Sequence, residues 1–173
     1  GLQAALAGRP PDGHGLTMLP FLAGERSPGW AGHATGAVVG LRLHTQPVDL
    51  LQAGLEAVAY RFGAIYALVR SALPGADEII ASGGALLNSP AWMQIVADVL
   101  GLPVTASGEA EASARGAALL ALEVLGGPAW FDQPAALGRR FDPDPARHAT
   151  YTGARARQAH LYDVLIRGGG GWR

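Results

Sequence analysis

Apolar positions recur with a helical period along one long stretch of the chain and cluster into short runs elsewhere. Leu51, Leu55, Val58, Phe62, Ile65 and Val69 fall at steps of 4, 3, 4, 3 and 4, the spacing of one face of a helix. Pro47 and Asp49 suit the first turn of that helix, and Pro74-Gly75 stops it. At about 25 residues it exceeds the usual ~8–20, which predicts a central packing helix. Upstream, Leu2 to Leu6 reads as the tail of a helix and residues 8–13 as a breaker cluster. Residues 16–22 read as a strand that Pro20 demotes to an edge or irregular one. Residues 24–30 form a polar loop, and residues 37–41 a short strand of buried type.

Beyond the long helix the pattern alternates. Residues 78–81 read as a strand, 82–85 as a small-residue turn, and Ser89-Pro90 opens a helix that Gly101 ends after Leu100. Residues 103–106 form a short strand. Ser107 is placed to cap a helix from about residue 109 to Leu125. Strand, helix, strand, helix predicts an α/β domain with parallel strands joined by right-handed crossovers. From Trp130 onward the signal weakens. Residues 141–145 look like turn material, 155–167 like a terminal helix and 168–171 like a flexible tail.

Composition narrows the function classes. A chain of 173 residues makes one domain or one lobe of a larger protein. Apolar residues at 49% and charged residues at 16% exclude a disordered chain. Twenty-five glycines and 12 prolines imply many tight turns. The net charge of −1 argues against a nucleic-acid partner. The absence of cysteine excludes disulfides and thiolate metal sites, and the five histidines lack metal-ligand spacing. No apolar run is long enough to span a bilayer and no signal pattern opens the chain. These features together set the expectation of a soluble cytoplasmic protein that does not engage membranes. The missing initiator Met reads as an excerpt or a processed product.

The most informative stretch is residues 79–90, where a strand delivers Gly83, Gly84 and Ala85 and a helix follows. Residues without side-chain bulk let a flat ligand approach the backbone, and the carboxyl end of a parallel strand is where open α/β sheets bind ligands. Asn88 adds an amide that both donates and accepts, suited to a purine edge. On the local pattern alone, a plain strand-to-helix turn is the simpler reading. Neither a P-loop nor G-x-G-x-x-G is present.

That stretch resembles the adenosine-binding turn of the FGGY family of carbohydrate kinases, in which Gly-Gly-Ala is followed three residues later by Asn. The family's next helix has the form Ser-Pro-x-Trp-x-Gln-x-x-Ala-Asp-x-Leu-Gly-x-Pro-Val. Here Ser89, Pro90, Trp92, Gln94, Ala97, Asp98, Leu100, Gly101, Pro103 and Val104 occupy those positions. A second family signature is matched by Gly36, Val38, Gly40 and Leu41, then Asp49-Leu50, then Ala53-Gly54-Leu55-Glu56, with Gly54 a departure from the usual residue. Residues 19–30 are similar to the Gly-Glu-Arg-x-Pro loop of the gluconate and xylulose kinase branches. Glu25-Arg26 in that loop either faces a sugar cleft or forms a surface ion pair. Residues 109–118 resemble the family's small-residue helix, and Ala112, Gly116 and Ala117 are read as permitting close helix–sheet packing. Trp92 is read as core.

The resemblance covers roughly residues 1–125 and implies an α/β, actin-like ATPase (ribonuclease H-like) C-terminal domain, here incomplete, with residues 126–173 as an extension carrying the terminal helix and tail. It implies ATP bound through Gly83, Gly84, Ala85 and Asn88, with Mg²⁺, in a full-length sugar or sugar-acid kinase; gluconate is the first expected substrate and xylulose or another ketose the second. It assigns no catalytic residue to this chain. The family's Asp base and Thr-Gly phosphate turn, and its sugar-binding N-terminal lobe, precede the matched region, so the chain alone is expected to be inactive. The sheet order implied is 3-2-1-4-5, with residues 37–41 as strand 3, 78–81 as strand 4 and 103–106 as strand 5, and with strands 1 and 2 upstream. Open strand edges then predict self-association or pairing with the upstream piece. The alternative reading is a non-catalytic actin-like nucleotide switch or assembly protein.

Overall fold

A computed structural model of the chain describes residues 1–126 and 136–168. The element order is α1 (Leu2–Ala7), β1 (Thr17–Leu19), β2 (Ala37–Val39), α2 (Pro47–Ala72), β3 (Ile79–Ala81), α3 (Gly84–Leu87), α4 (Pro90–Leu100), β4 (Val104–Ser107), α5 (Ala112–Val124), β5 (Leu137–Phe141) and α6 (Pro145–Tyr162), the last running into a π-helical turn, Asp163–Arg167. The expected tail lies outside the described residues beyond Gly168.

The long helix forms over almost the expected span, but turned from the expected face. Its buried stripe is Gln52, Ala53, Glu56, Ala57, Ala59, Tyr60 and Gly63, whereas Leu51 and Val69 are exposed and Leu55, Phe62 and Ile65 are half-buried. Two polar side chains can take the inward stripe because each finds partners there: the Gln52 amide donates to Pro10 O at 2.9 Å and to Glu56 Oε1 at 2.8 Å. Phe62, Ile65 and Val69 of the expected face instead line a cleft beside β3.

The strands depart from an all-parallel sheet. β3 and β4 pair in parallel, with Ile79 opposite Val104 and Ala81 opposite Ala106. β4 then pairs antiparallel with β5, with a bulge between Thr105 and Ser107. β5 is not expected from the sequence. Four of its five residues are exposed and two are arginines, so it lacks the alternating apolar pattern and carries the charges that suit an edge strand. β1 and β2 form a separate antiparallel pair, Thr17 opposite Val39 and Leu19 opposite Ala37. The neighbour of residues 37–39 therefore lies within this chain, which corrects the expectation that both strands between 37–41 and 78–81 come from upstream. Neither β2 nor β3 is fully buried; Val39 and Ile80 are each 50% exposed.

The main core joins α2, α4, α6, β4 and β5 through Tyr60, Met93, Val96, Val99, Val104, Phe141 and Tyr151. A smaller one gathers Leu19, Phe21, Ala31, Ala34 and Tyr162. α6 begins ten residues before the expected terminal helix. Asp144-Pro145 is its cap and first residue rather than a loop, the Asp144 carboxylate accepting from Ala146 N and Arg147 N. The Asp98 carboxylate locks α4 to α6: it is fully buried and accepts from Arg147 Nε at 2.7 Å, Gln94 Nε2 at 2.9 Å and Asp144 N at 2.9 Å. α5 starts later than expected, because Ser107 ends β4 and its hydroxyl accepts from Glu109 N instead of capping a helix. α5 buries none of its residues, and Gly116 has open space where a Cβ would stand. The close packing expected of its small residues is absent among the described residues. No helix among these residues is long and apolar enough to cross a membrane.

Candidate functional site

The turn after β3 holds all four residues singled out for adenosine. The chain leaves the strand through Ser82 and reaches Gly83 at φ +97°, ψ 135°, a conformation open to glycine and costly for any residue with a Cβ. One helical turn follows, closed by Leu87 N donating to Gly83 O at 3.1 Å and Asn88 N to Gly84 O at 3.0 Å. Gly83, Gly84, Ala85 and Asn88 are all exposed on this turn. The Asn88 amide has no hydrogen-bond partner among the described residues, and its Nδ2 stands 3.7 Å from where a Gly84 Cβ would lie.

The scaffold behind the turn is tightly tied. Ser89 caps α4, its Oγ accepting from Trp92 N at 3.3 Å and from Gln3 Nε2 of α1 at 3.0 Å. Trp92 is half-buried against the main core, and its indole N–H donates to Leu55 O on α2 at 3.0 Å. A bare, unpartnered surface thus sits on a fixed support, an arrangement that lets a ligand meet backbone and one amide without reorganising the fold.

The Gly-Glu-Arg loop does not form the surface ion pair, one of the two arrangements expected of it. Glu25 is buried, accepts from Tyr162 OH at 2.5 Å and pairs with Arg61 of α2. Arg26 is exposed. Glu25 therefore anchors the loop inward onto α2 and α6, and it does not pair with Arg26. Gly29 is required there: a Cβ would fall on the Tyr162 hydroxyl and Glu25 Oε2. Burial, then the hydrogen bond to Glu25, pushes the Tyr162 hydroxyl pKa up, so it stays a donor.

A second cluster is not visible in the sequence. The ligand-type atoms of Asp12, His14 and Glu56 all lie within 4.8 Å of one another, although His14 and Glu56 are 42 residues apart. Their hydrogen bonds point to a polar network rather than a metal cradle. His14 Nδ1 accepts from Leu16 N at 2.9 Å, which leaves the proton on Nε2 to donate to Glu56 Oε2 at 3.0 Å. Glu56 also accepts from Asp12 N at 3.2 Å, Gln52 at 2.8 Å, Tyr60 OH at 3.1 Å and Tyr151 OH at 3.1 Å. Burial alone raises the Glu56 pKa, but the hydrogen bonds from His14 and Gln52 outweigh it and hold the group below its ordinary value.

Residues 2–123 match the model of the FGGY family of carbohydrate kinases, C-terminal domain. The chain belongs to that family. It is 37% identical over 170 residues to a glycerol kinase of Acidovorax sp. (strain JS42), covering 93% of this chain and 34% of that protein. Among solved structures, xylulose kinase from Rhodospirillum rubrum superposes with a TM-score of 0.77 at 33% identity, over 95% of this chain and 33% of that one. Gluconate kinase from Lactobacillus acidophilus gives 0.80 at 26% identity, over 97% of this chain and 35% of that one. The fold is thus the actin-like C-terminal domain of the FGGY kinases, as the resemblance implied. The chain spans about a third of the length of these relatives.

Proposed function

We propose that this chain is the nucleotide-side part of an ATP-dependent carbohydrate kinase, which passes the γ-phosphoryl of ATP to a sugar or sugar-acid hydroxyl. The observation that carries the reading is the turn at residues 82–88, where glycine backbone and the free Asn88 amide are exposed together on a rigid support in a chain of this family. Gly83, Gly84 and Ala85 let adenosine lie against the backbone, and Asn88 meets the base edge. The exposed glycine backbone and the unpartnered Asn88 amide support adenosine as the ligand of this turn. ATP would bring its phosphates and Mg²⁺ to the cleft, and no residue of this chain is assigned to the metal. Proton removal from the sugar hydroxyl belongs to an Asp base in another part of the protein.

Gluconate is the first proposed substrate and xylulose or another ketose the second. The loop around Glu25 and the likeness to the gluconate and xylulose kinase structures support these two. Cytoplasmic location follows as part of the same proposal. The test is a coupled ATP assay on full-length protein with gluconate, xylulose, ribulose and glycerol. The expected result is transfer to one of the first two with the highest kcat/KM, and no transfer to any of them by the 173-residue chain alone. ATP binding without transfer to any sugar would overturn the kinase reading in favour of a nucleotide-binding switch.

Self-association of the isolated chain is proposed on two surfaces. The edge of β3 away from β4 has no strand partner among the described residues, and Leu120, Val124 and Leu125 of the α5 segment are 65%, 86% and 78% exposed. Open edges and apolar patches recruit other chains. Light scattering is expected to give a mass above one chain, and a monomer that unfolds cooperatively would contradict it.

A further inference from the structure

We propose that a groove between α2 and α6 is a binding pocket for a small oxyanion, held by Arg155 with help from Arg61. The groove is a cavity of about 380 Å³ whose lining includes both arginines and no acidic residue. None of its lining residues belongs to the turn at 82–88, so the inference stands apart from the nucleotide site.

The two arginines are in different states. Arg61 pairs with Glu25 and lies over the rings of Phe21 and Tyr162, 5.3 and 4.9 Å from their centroids. Its Nε is nevertheless buried with no hydrogen-bond partner, a costly condition for a charged donor. Arg155 has no carboxylate partner among the described residues. Its one protein hydrogen bond is a long one, from Nη1 to Val99 O at 3.4 Å. Burial pulls its pKa down, the mark of a charge withdrawn from water without compensation.

The backbone is shaped to seat this guanidinium. A Cβ at Gly63, in the middle of α2, would stand 3.0 Å from Arg155 Cζ and Nη2. The helix carries a glycine there, at a cost in helix propensity, and the guanidinium lies against its bare face.

The chemistry of the other lining groups selects the ligand. Thr152 Oγ1 donates to His148 O, and both amide hydrogens of Gln158 are taken by Met18 O and Ala57 O. Tyr60 OH donates to Glu56. The lining donors left are those of the arginines, which favour an acceptor on the ligand. A planar guanidinium fork matches two oxygens of a carboxylate or phosphate, and Ala64, Ala156 and Ala159 add an apolar wall to the groove.

The full chain, titrated with inorganic phosphate and separately with propionate, is the test, followed by nitrogen–proton NMR of the arginine Nε–H signals. Saturable shifts of the Arg155 and Arg61 signals are expected, and the anion that competes more strongly tells phosphate from carboxylate. Arg155→Gln should weaken binding at least about tenfold. Gly63→Ala, which leaves every charge in place, should weaken it by displacing the fork. Should Arg155→Gln fail to unfold cooperatively, Arg155→Lys keeps the charge without the fork and should show the same loss. Absence of a saturable shift, an equal response to chloride, or unchanged affinity in the folded Arg155 variant would overturn the proposal.

Discussion

Glu56→Ala should lower the unfolding free energy of the protein by about 3–5 kcal/mol, the range for stripping a buried, paired charge of its partner. Glu56 is fully buried and fully engaged: five donors, from Asp12, His14, Gln52, Tyr60 and Tyr151, converge on its two oxygens. Truncation leaves all of them facing a void. It also severs the N-terminal segment, α2 and α6 from their common acceptor. With total stabilities of about 5–15 kcal/mol for a domain, such a loss removes a large part of the whole. Glu56→Gln keeps the volume and one acceptor oxygen but turns an NH₂ toward two donors, so an intermediate loss is expected. Urea unfolding at constant slope gives the difference directly; a shift below about 1 kcal/mol for the alanine variant would show that water replaces the carboxylate in this network.

The same network sets a pH dependence. The folded-state pKa of Glu56 lies below its ordinary value, so its contribution to stability is present above the unfolded-state value of about 4.3. It is lost as the pH falls from there through the folded value, because protonation then favours the unfolded chain. Tyr60 and Tyr151 do not oppose this. Burial, followed by the Glu56 charge, pushes both hydroxyls up, and they remain donors. The urea midpoint of the native protein should drop more steeply below pH about 4.3 than that of Glu56→Gln.

Local signals in the sequence locate most elements, and non-local pairings account for the rest. The span of α2 follows from Pro47 and Pro74. α4 follows from Ser89, Pro90 and Gly101, whose φ of +67° at the helix end needs glycine. The inward face of α2 is not legible, because it carries Gln52 and Glu56 rather than leucines. Partners supplied by residues 9–14 and by Tyr151, far away in sequence, make those positions buriable. β5 escapes notice for a related reason: an edge strand needs no apolar alternation, and its register is dictated by β4. The start of α6 is hidden because Phe141 through Pro145 has the composition of a turn, whereas Asp144-Pro145 is equally the start of a helix. Of the candidate site, the turn at 82–88 is legible by motif. The inward anchoring of Glu25 is not, since Arg61 and Tyr162 are distant in sequence.

Gly84→Val in the full-length protein should raise the KM for ATP at least about tenfold while leaving the sugar KM nearly unchanged, a difference of about 1.4 kcal/mol or more in nucleotide binding. The structure makes this a test of ligand contact rather than of folding. Of the two glycines, only Gly83 holds a positive φ. Gly84 is helical and exposed, and the atom nearest to the place of an added Cβ is Asn88 Nδ2 at 3.7 Å, an ordinary contact. A valine there costs the folded chain little beyond its weaker helix propensity, yet its two methyl groups stand on the surface where adenosine is proposed to lie. Gly83→Ala makes the opposite case. It has open space around it but a strained backbone, so it should lower stability as well as ATP affinity. Asn88→Ala removes the free amide without adding bulk and should weaken ATP by less than Gly84→Val. Steady-state kinetics with ATP and the sugar varied in turn, alongside thermal unfolding, separate these outcomes. Equal effects of Gly84→Val on both substrates, or none on either, would mean that the turn supports the fold and does not touch the nucleotide.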